Sequence, residues 1–392
     1  MTDDASVRQH RESALNRPVS RRGFVGRSIL GAGALLGAST PVVSTGVAFG
    51  ASPVPRTTLH QKVAQLFIIS FRGLTAGHEI LSLLSRYAFG GVVLYADNCH
   101  SAAQIRTMLA ELQAVARYPL LVCTDQEGGG VVRIRDGAPS FPWEATYGHI
   151  ASTDRVYQDA STTARDLRNL GLTMNLAPVV DVLTNHTSPI GRRSYGSNPN
   201  LAARLSMAAI RGYQQHGMAS TAKHFVGLGH TSIDSHRALP TVTLSLAQLE
   251  ARDFIPFRAA IAAGVSSVLV AHVALPAVDP VYRPASLSPV VIEGVLRTRL
   301  GFKGVVMTDS LTMGALPEGH EPEAAERAFA AGADILLIGR NSPIPSALIE
   351  ESVERVVAAV TTGRIPQSRL DAALGRVLAL KRQYPPAVLP VP

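Results

Sequence analysis

At 392 residues, 46% hydrophobic and 17% charged, the chain has the bulk for one large α/β barrel or for two or three ordinary domains, and its composition excludes a disordered scaffold or a charged helical repeat. The formal charge is +8, part of it in the first fifty residues, where six Arg stand against Asp3, Asp4 and Glu12. Aromatics are only 5% and the Lys and Arg are scattered, which excludes the stacking platforms and basic stripes of a nucleic-acid binder, while an anionic polymer such as cell wall remains compatible with the charge.

The chain opens with a polar stretch to residue 19, then Ser20, Arg21, Arg22, Gly23, Phe24 and Val25, then an uncharged run from Ser28 to Pro55 rich in Gly, Ala, Leu and Val. A basic flank, a moderately apolar segment interrupted by Gly31, Gly33 and Gly37, and small residues from Ala48 to Ala51 resemble a twin-arginine export signal cleaved near residue 50. The competing reading is an uncleaved anchor, since the run exceeds the roughly 20 residues that span a bilayer. Pro41 and the many Ser, Thr and Gly residues count against it. The expected layout is a leader over 1–50, a linker over 51–59, one catalytic domain over 60–384 and a Pro-rich tail over 385–392.

From residue 60, short β-rich runs alternate with helical stretches. The runs are Gln65 to Phe71, Gly91 to Tyr95, Leu120 to Thr124, Thr173 to Val180, Ala219 to His224, Ser267 to His272, Gly304 to Thr308 and Asp334 to Gly339. They are apolar without alternation, as parallel strands covered on both faces are. Between them, Ala102, Ile105, Met108, Leu109 and Leu112 form one helical stripe, and Leu249, Phe254, Phe257 and Ile261 support another. Eight βα repeats predict an α/β fold of the TIM (β/α)8 barrel type. An open doubly wound sheet is the rival, but no G-x-G-x-x-G follows the first run and no P-loop is present. The two cysteines, Cys99 and Cys123, are too few for a disulfide framework; they could pair outside the cytoplasm, yet Cys123 lies in an apolar run where a buried free thiol is expected.

In such a barrel, chemistry gathers where strands end. The predicted strand ends carry Asp125-Gln126-Glu127, Asp181, Lys223-His224, His272 and Asp309-Ser310, a concentration of ionisable groups unusual for so weakly charged a chain. Asp309 suits attack on, or stabilisation of, a cationic centre, and equally suits a helix N-cap. Asp234 and His236, two apart in a Gly-bearing polar loop, suit an acid/base dyad in which the carboxylate orients the ring, or else a surface Asx turn. His224, His230, Asp234 and His236 are all metal-ligand types, but their spacing matches neither a zincin helix nor a Cys/His finger, so no metal is expected. The segment from Asp125 through Gly128-Gly129-Gly130 to Arg133 suits sugar hydroxyls approached by a bare backbone, a phosphate cradle, or a plain loop. Arg192 and Arg193 read as paired surface cations unless Arg193 turns into the mouth.

Taken in order, these segments resemble glycoside hydrolase family 3, in particular its single-domain bacterial β-N-acetylglucosaminidases, over about residues 60 to 380. The resemblance implies Asp309 of T-D-S-L-x-M as nucleophile and His236, oriented by Asp234 in G-H-x-x-x-D-S-H, as acid/base. It also implies sugar binding by Asp125 of D-Q-E-G-G, Arg133 eight positions later, Arg193 of the R-S-Y loop, and the Lys223-His224 pair. Two positions depart from the usual pattern: Gly130 stands where arginine is common and Val226 where proline is common. The family's larger members add a second α/β domain, for which too few residues remain after 340, so the segment from Pro343 to Tyr384 is expected to close the barrel with helices.

The resemblance implies an exported retaining exo-β-N-acetylglucosaminidase, monomeric and without cofactor, whose partner is a GlcNAc-bearing carbohydrate, with peptidoglycan fragments first and chitooligosaccharides second, and which meets the membrane only in transit. A phosphorylase or a β-glucosidase would use the same site. A non-catalytic sugar-binding barrel would keep Asp125, Arg133 and Lys223 without needing Asp309, Asp234 and His236 together.

Overall fold

A computed structural model describes residues 57–387. The export-signal reading falls on residues 1–56 and most of the Pro-rich tail on 388–392, both outside the described residues. Strands Phe67–Ser70 (β1), Gly91–Leu94 (β2), Leu121–Thr124 (β3), Met174–Asn175 (β4), Ala219–Phe225 (β5), Ser267–Val270 (β6), Val305–Thr308 (β7) and Leu336–Ile338 (β8) form one parallel sheet in the order β7-β6-β5-β4-β3-β2-β1-β8. A parallel bridge between Met307 and Ile335, with the Thr308 N–H donating to the Ile335 carbonyl at 3.0 Å, brings the two outer strands together and completes a TIM barrel. Every residue of these eight strands is buried, which explains the absence of alternation in the sequence.

The helices are Leu59–Ala64 (α1), His78–Arg86 (α2), Ala102–Val115 (α3), Glu144–Ile150 (α4), Thr153–Leu170 (α5), Pro199–Gln215 (α6), Leu246–Ala251 (α7), Phe254–Ala262 (α8), Glu321–Ala331 (α9), Ser346–Thr361 (α10) and Gln367–Gln383 (α11). Local sequence sets their ends. Ser152 caps α5 by accepting from the Arg155 N–H, and Gly171 ends it at φ 101°, where a side chain would be strained. In between, Val156, Ala160, Ala164 and Leu167 face the sheet at helical spacing. Thr58 and Gln61 form a capping box at the start of α1, so the barrel takes in Thr58 and Leu59, which the sequence assigns to a linker. Helices α10 and α11 fill the region expected to close the barrel.

Two expectations are corrected. The fourth run contributes only Met174–Asn175 to the ladder, because Pro178 has no N–H to donate; pairing resumes as an isolated bridge between Val179 and Lys223. The stripe from Leu249 to Ile261 belongs to two helices, broken at Arg252 and Asp253, where the Asp253 carboxylate turns to His230. Its aromatics are core: Phe254 stacks on Phe225 at 5.3 Å and Phe257 meets the same ring edge-on at 5.0 Å. Each such ring removed from water contributes about 1.5–3 kcal/mol. Cys99 and Cys123 are free thiols.

Beneath the barrel, Asp334 gathers three guanidiniums, Arg297 at 2.5 Å, Arg369 at 3.3 Å and Arg376 at 2.8 Å, and accepts the Val306 N–H. This cluster ties α11 and the segment Val290–Arg299 to the foot of β7 and β8.

Candidate active site

A cavity of about 490 Å³ opens at the C-terminal ends of the strands. All eight residues singled out in the sequence, Asp125, Arg133, Arg193, Lys223, His224, Asp234, His236 and Asp309, line it. They arrive there from β5 and from the loops after β3, β4, β5 and β7.

One wall is an ion lattice. Lys223 Nζ lies 2.6 Å from both Asp125 Oδ1 and Glu127 Oε1, and Arg193 grips Glu127 with two parallel bonds of 2.7 Å. Arg133 reaches within 3.7 Å of Asp125 and leaves its Nε without a protein partner. Burial alone would raise the Asp125 carboxyl, but Lys223 and Arg133 outweigh it and hold the acid below its ordinary range. The same balance lowers Glu127, through Arg193 and then Lys223. For Lys223 burial works against the ammonium, and attraction to Asp125 and Glu127 raises its pKa nonetheless. Asp125, Glu127 and Lys223 thus stay ionised, and together with Arg193 and Arg133 they present fixed donors and acceptors to a polyhydroxylated ligand. Arg193 is therefore no surface cation, whereas its neighbour Arg192 is exposed and stacks on the Trp143 ring at 5.1 Å.

His224 stands in this wall with both ring nitrogens engaged. Arg193 can only donate, so the 3.2 Å contact makes Nε2 the acceptor, and Nδ1–H then donates to Asp181 at 2.8 Å. Asp181 also accepts the Leu228 N–H, joining the wall to the loop that follows β5.

Asp309 lines the same cavity. Its backbone N–H donates to the Val270 carbonyl at 2.9 Å, fixing it against β6, and its Oδ1 accepts from the Ser310 N–H, its one hydrogen bond among the described residues. The helix-cap reading fails, because α9 begins twelve residues later with His320 as its cap residue. Beneath lies His272, fully buried: Nε2–H donates to the Ser310 carbonyl at 2.9 Å and Nδ1 accepts from Ser286 at 2.6 Å. That tautomer is neutral, in agreement with a pKa pushed down by burial.

Asp234 and His236 realise both of their alternatives at once. Asp234 Oδ1 accepts the His236 N–H at 2.9 Å, an Asx turn, and also the His236 Nδ1–H at 2.8 Å, the dyad. Burial opposes ionisation of Asp234, yet the two bonds from His236 win and lower its pKa. The imidazole is 69% exposed, so its free Nε2 is accessible to a ligand in the cavity. Two further contacts seat the loop: the Gly314 N–H donates to the His236 carbonyl at 3.2 Å and the Ala315 N–H to the Ser235 carbonyl at 3.0 Å. At its base, His230 bonds Asp253 at 2.6 Å and Thr184 at 2.9 Å. The histidines of this region are thus engaged separately, and among the described residues no group of three His, Cys, Asp or Glu converges on a metal position.

Sequence reasoning passed over several participants. Glu127 is the hub of the lattice, legible only as a second carboxylate beside Asp125. Tyr95, at the end of β2, lines the cavity with its hydroxyl against Gly339. Glu144 is buried, its Oε2 has no partner among the described residues, and burial and then Glu127 push its pKa well up. Gly130 also acquires a reason: a side chain there would overlap the six-membered ring of Trp143.

An exposed imidazole held by a carboxylate, a second carboxylate in the same cavity and a fixed polar wall are the parts needed for displacement at a carbon bearing oxygen, with proton transfer to the departing group. The chain is similar to known proteins over most of its length. Residues 58–380 match the family model described as glycosyl hydrolase family 3 N terminal domain. A β-hexosaminidase A of Pseudoalteromonas piscicida is 33% identical over 335 residues, covering 78% of this chain and 55% of that protein. The glycoside hydrolase family 3 β-N-acetylglucosaminidase of Paenibacillus sp. str. FPU-7 superposes with a TM-score of 0.80 at 41% identity, over 83% of this chain and 62% of that one. The β-N-acetylhexosaminidase of Beutenbergia cavernae gives 0.77 at 28% identity, over 83% and 98%. The chain thus spans less than two thirds of the first two relatives.

Proposed function

The chain belongs to glycoside hydrolase family 3, and on that premise we propose that it is a retaining exo-β-N-acetylglucosaminidase that releases terminal β-linked GlcNAc. The observation that carries the reading is that Asp309 and the His236–Asp234 pair line the same cavity as the Asp125–Lys223–Glu127–Arg193 lattice. The lattice, with Arg133, holds the sugar hydroxyls. An Asp309 oxygen bonds the anomeric carbon as the glycosidic C–O bond breaks, and His236 Nε2 gives its proton to the departing oxygen. In the second step His236 Nε2 takes a proton from water, the water oxygen bonds the anomeric carbon, and Asp309 leaves as a carboxylate. Two displacements retain the β configuration.

The leader from Ser20 to Ala51 supports export, and export supports a substrate outside the membrane: peptidoglycan fragments ending in GlcNAc, then chitooligosaccharides. Purified protein should turn over a chromogenic N-acetyl-β-glucosaminide far faster than the matching β-glucoside, releasing GlcNAc rather than a sugar phosphate when phosphate is added. A slow substrate with a good leaving group should leave its sugar on Asp309, read by mass spectrometry. Turnover of the glucoside alone, a phosphorylated product, or an adduct elsewhere would each displace the corresponding part of the reading. Export is checked by changing Arg21 and Arg22 to Lys, which should retain the protein inside the cell.

A further inference from the structure

Beside the catalytic cavity lies a second hollow of about 200 Å³, formed by the segment after Asp309 and the start of α9. Thr312, Met313 and Arg340 line both, so the two adjoin along the side of the nucleophile. Glu321 lines this hollow; it is only 4% exposed, and its Oε2 has no hydrogen-bond partner. Buried carboxylates are nearly always paired, since an uncompensated one is costly. Yet among the described residues no Lys, Arg or His side chain forms an ion pair with the Glu321 carboxylate. Arg340, the basic residue that lines the hollow, spends Nε and Nη2 on the Pro343 carbonyl at 3.2 and 2.8 Å. The other acid of the rim, Glu318, is exposed and adds to the negative side of the balance.

We propose that this hollow is an aglycone subsite for a primary ammonium group, with Glu321 as its counter-ion. An ammonium supplies the three donors and the positive charge that the carboxylate lacks, and the hollow's walls reduce the water that would weaken the pair. The subsite rests on the reading of the adjoining cavity as the GlcNAc site, and it selects for an aglycone that carries a free amine beyond the scissile bond. Two sources share that chemistry, a glucosamine unit directly after the bond and an amino acid side chain on a peptide farther out.

The test uses the full chain and measures kcat/KM for pairs of glycosides that differ only in charge. The pairs are GlcNAc-β-glucosamine against GlcNAc-β-GlcNAc, and 6-aminohexyl against hexyl N-acetyl-β-glucosaminide. In wild type at least one charged member should be favoured by about tenfold. The ratio should fall to about one in Glu321→Gln, which keeps the shape and removes the charge. Preference in the disaccharide pair assigns the amine to an adjacent amino sugar, and preference in the alkyl pair alone assigns it to a longer, peptide-borne arm. Ratios near one for both pairs in wild type, or a preference that survives Glu321→Gln, would overturn the subsite while leaving the glycosidase reading intact. No turnover of any N-acetyl-β-glucosaminide would overturn both.

Discussion

Asp309 and His236 do separable work, and the difference is measurable. Asp309→Ala should abolish turnover, because the other carboxylates lining the cavity are engaged: Asp125 and Glu127 by Lys223, Glu127 also by Arg193, and Asp234 by His236. His236→Ala should behave differently. A nitrophenolate leaves as an anion and needs no proton, whereas a sugar alkoxide does, so the variant should lose about 10²–10⁴-fold on a disaccharide and much less on the activated glycoside. Asp234→Ala should show the same dependence in milder form, since the ring loses the carboxylate that aims it at 2.8 Å. A metal role for this loop would instead give chelator sensitivity and equal losses on both substrates. Measuring both variants on both substrates, with and without chelator, decides between them.

At the level of elements, the acid/base loop is positioned by contacts that no motif announces. Its carbonyls at 235 and 236 are held by the N–H groups of Ala315 and Gly314, from the segment that directly follows the nucleophile, so one strand end sets the relative position of both catalytic groups. A Cβ at 314 would lie 2.7 Å from the His236 carbonyl and 3.0 Å from that of Arg237. Gly314→Val should therefore push the loop away and lower kcat on poor leaving groups by up to about a hundredfold, with a smaller loss on the activated glycoside. Labelling of Asp309 by a slow substrate should persist; an unchanged disaccharide rate would show that the loop is seated by other means. This contact illustrates what the sequence could and could not reveal. The eight strands were legible because burial on both faces leaves continuous apolar runs, and Asp125, Lys223 and Asp309 because the barrel places the residues after those runs at one rim. Gly314, Glu127 and Tyr95 act through partners distant in the chain, and the break between α7 and α8 depends on Asp253 turning to His230, a tertiary bond that periodicity does not encode.

Across the whole molecule, the foot of the barrel links stability to pH through a residue remote from the chemistry. Lys381 on α11 is buried beneath the barrel, and its Nζ donates to Gln65 Oε1 at 2.7 Å, while Gln65 in turn donates to the Phe89 carbonyl at 3.1 Å. Burial, with no carboxylate to offset it, pulls the ammonium pKa down from 10.5 to about 7. Between those values the unfolded chain binds a proton that the folded chain does not, so unfolding free energy rises with pH from about 7 toward 10.5. Below 7 the lysine is charged in both states and the full cost of burying the charge, on the order of a few kcal/mol, is borne by the fold. Lys381→Met removes the charge and most of this slope, although it leaves Gln65 Oε1 unpartnered, which costs about 1–3 kcal/mol at every pH. Urea unfolding of both proteins at about pH 7, 8 and 9.5 separates the two effects, because only the charge contribution varies with pH. Wild type should gain stability relative to Lys381→Met as the pH rises. Parallel pH dependences would show that Lys381 keeps an ordinary pKa and that α11 is held to the barrel by packing and by the Asp334 cluster alone.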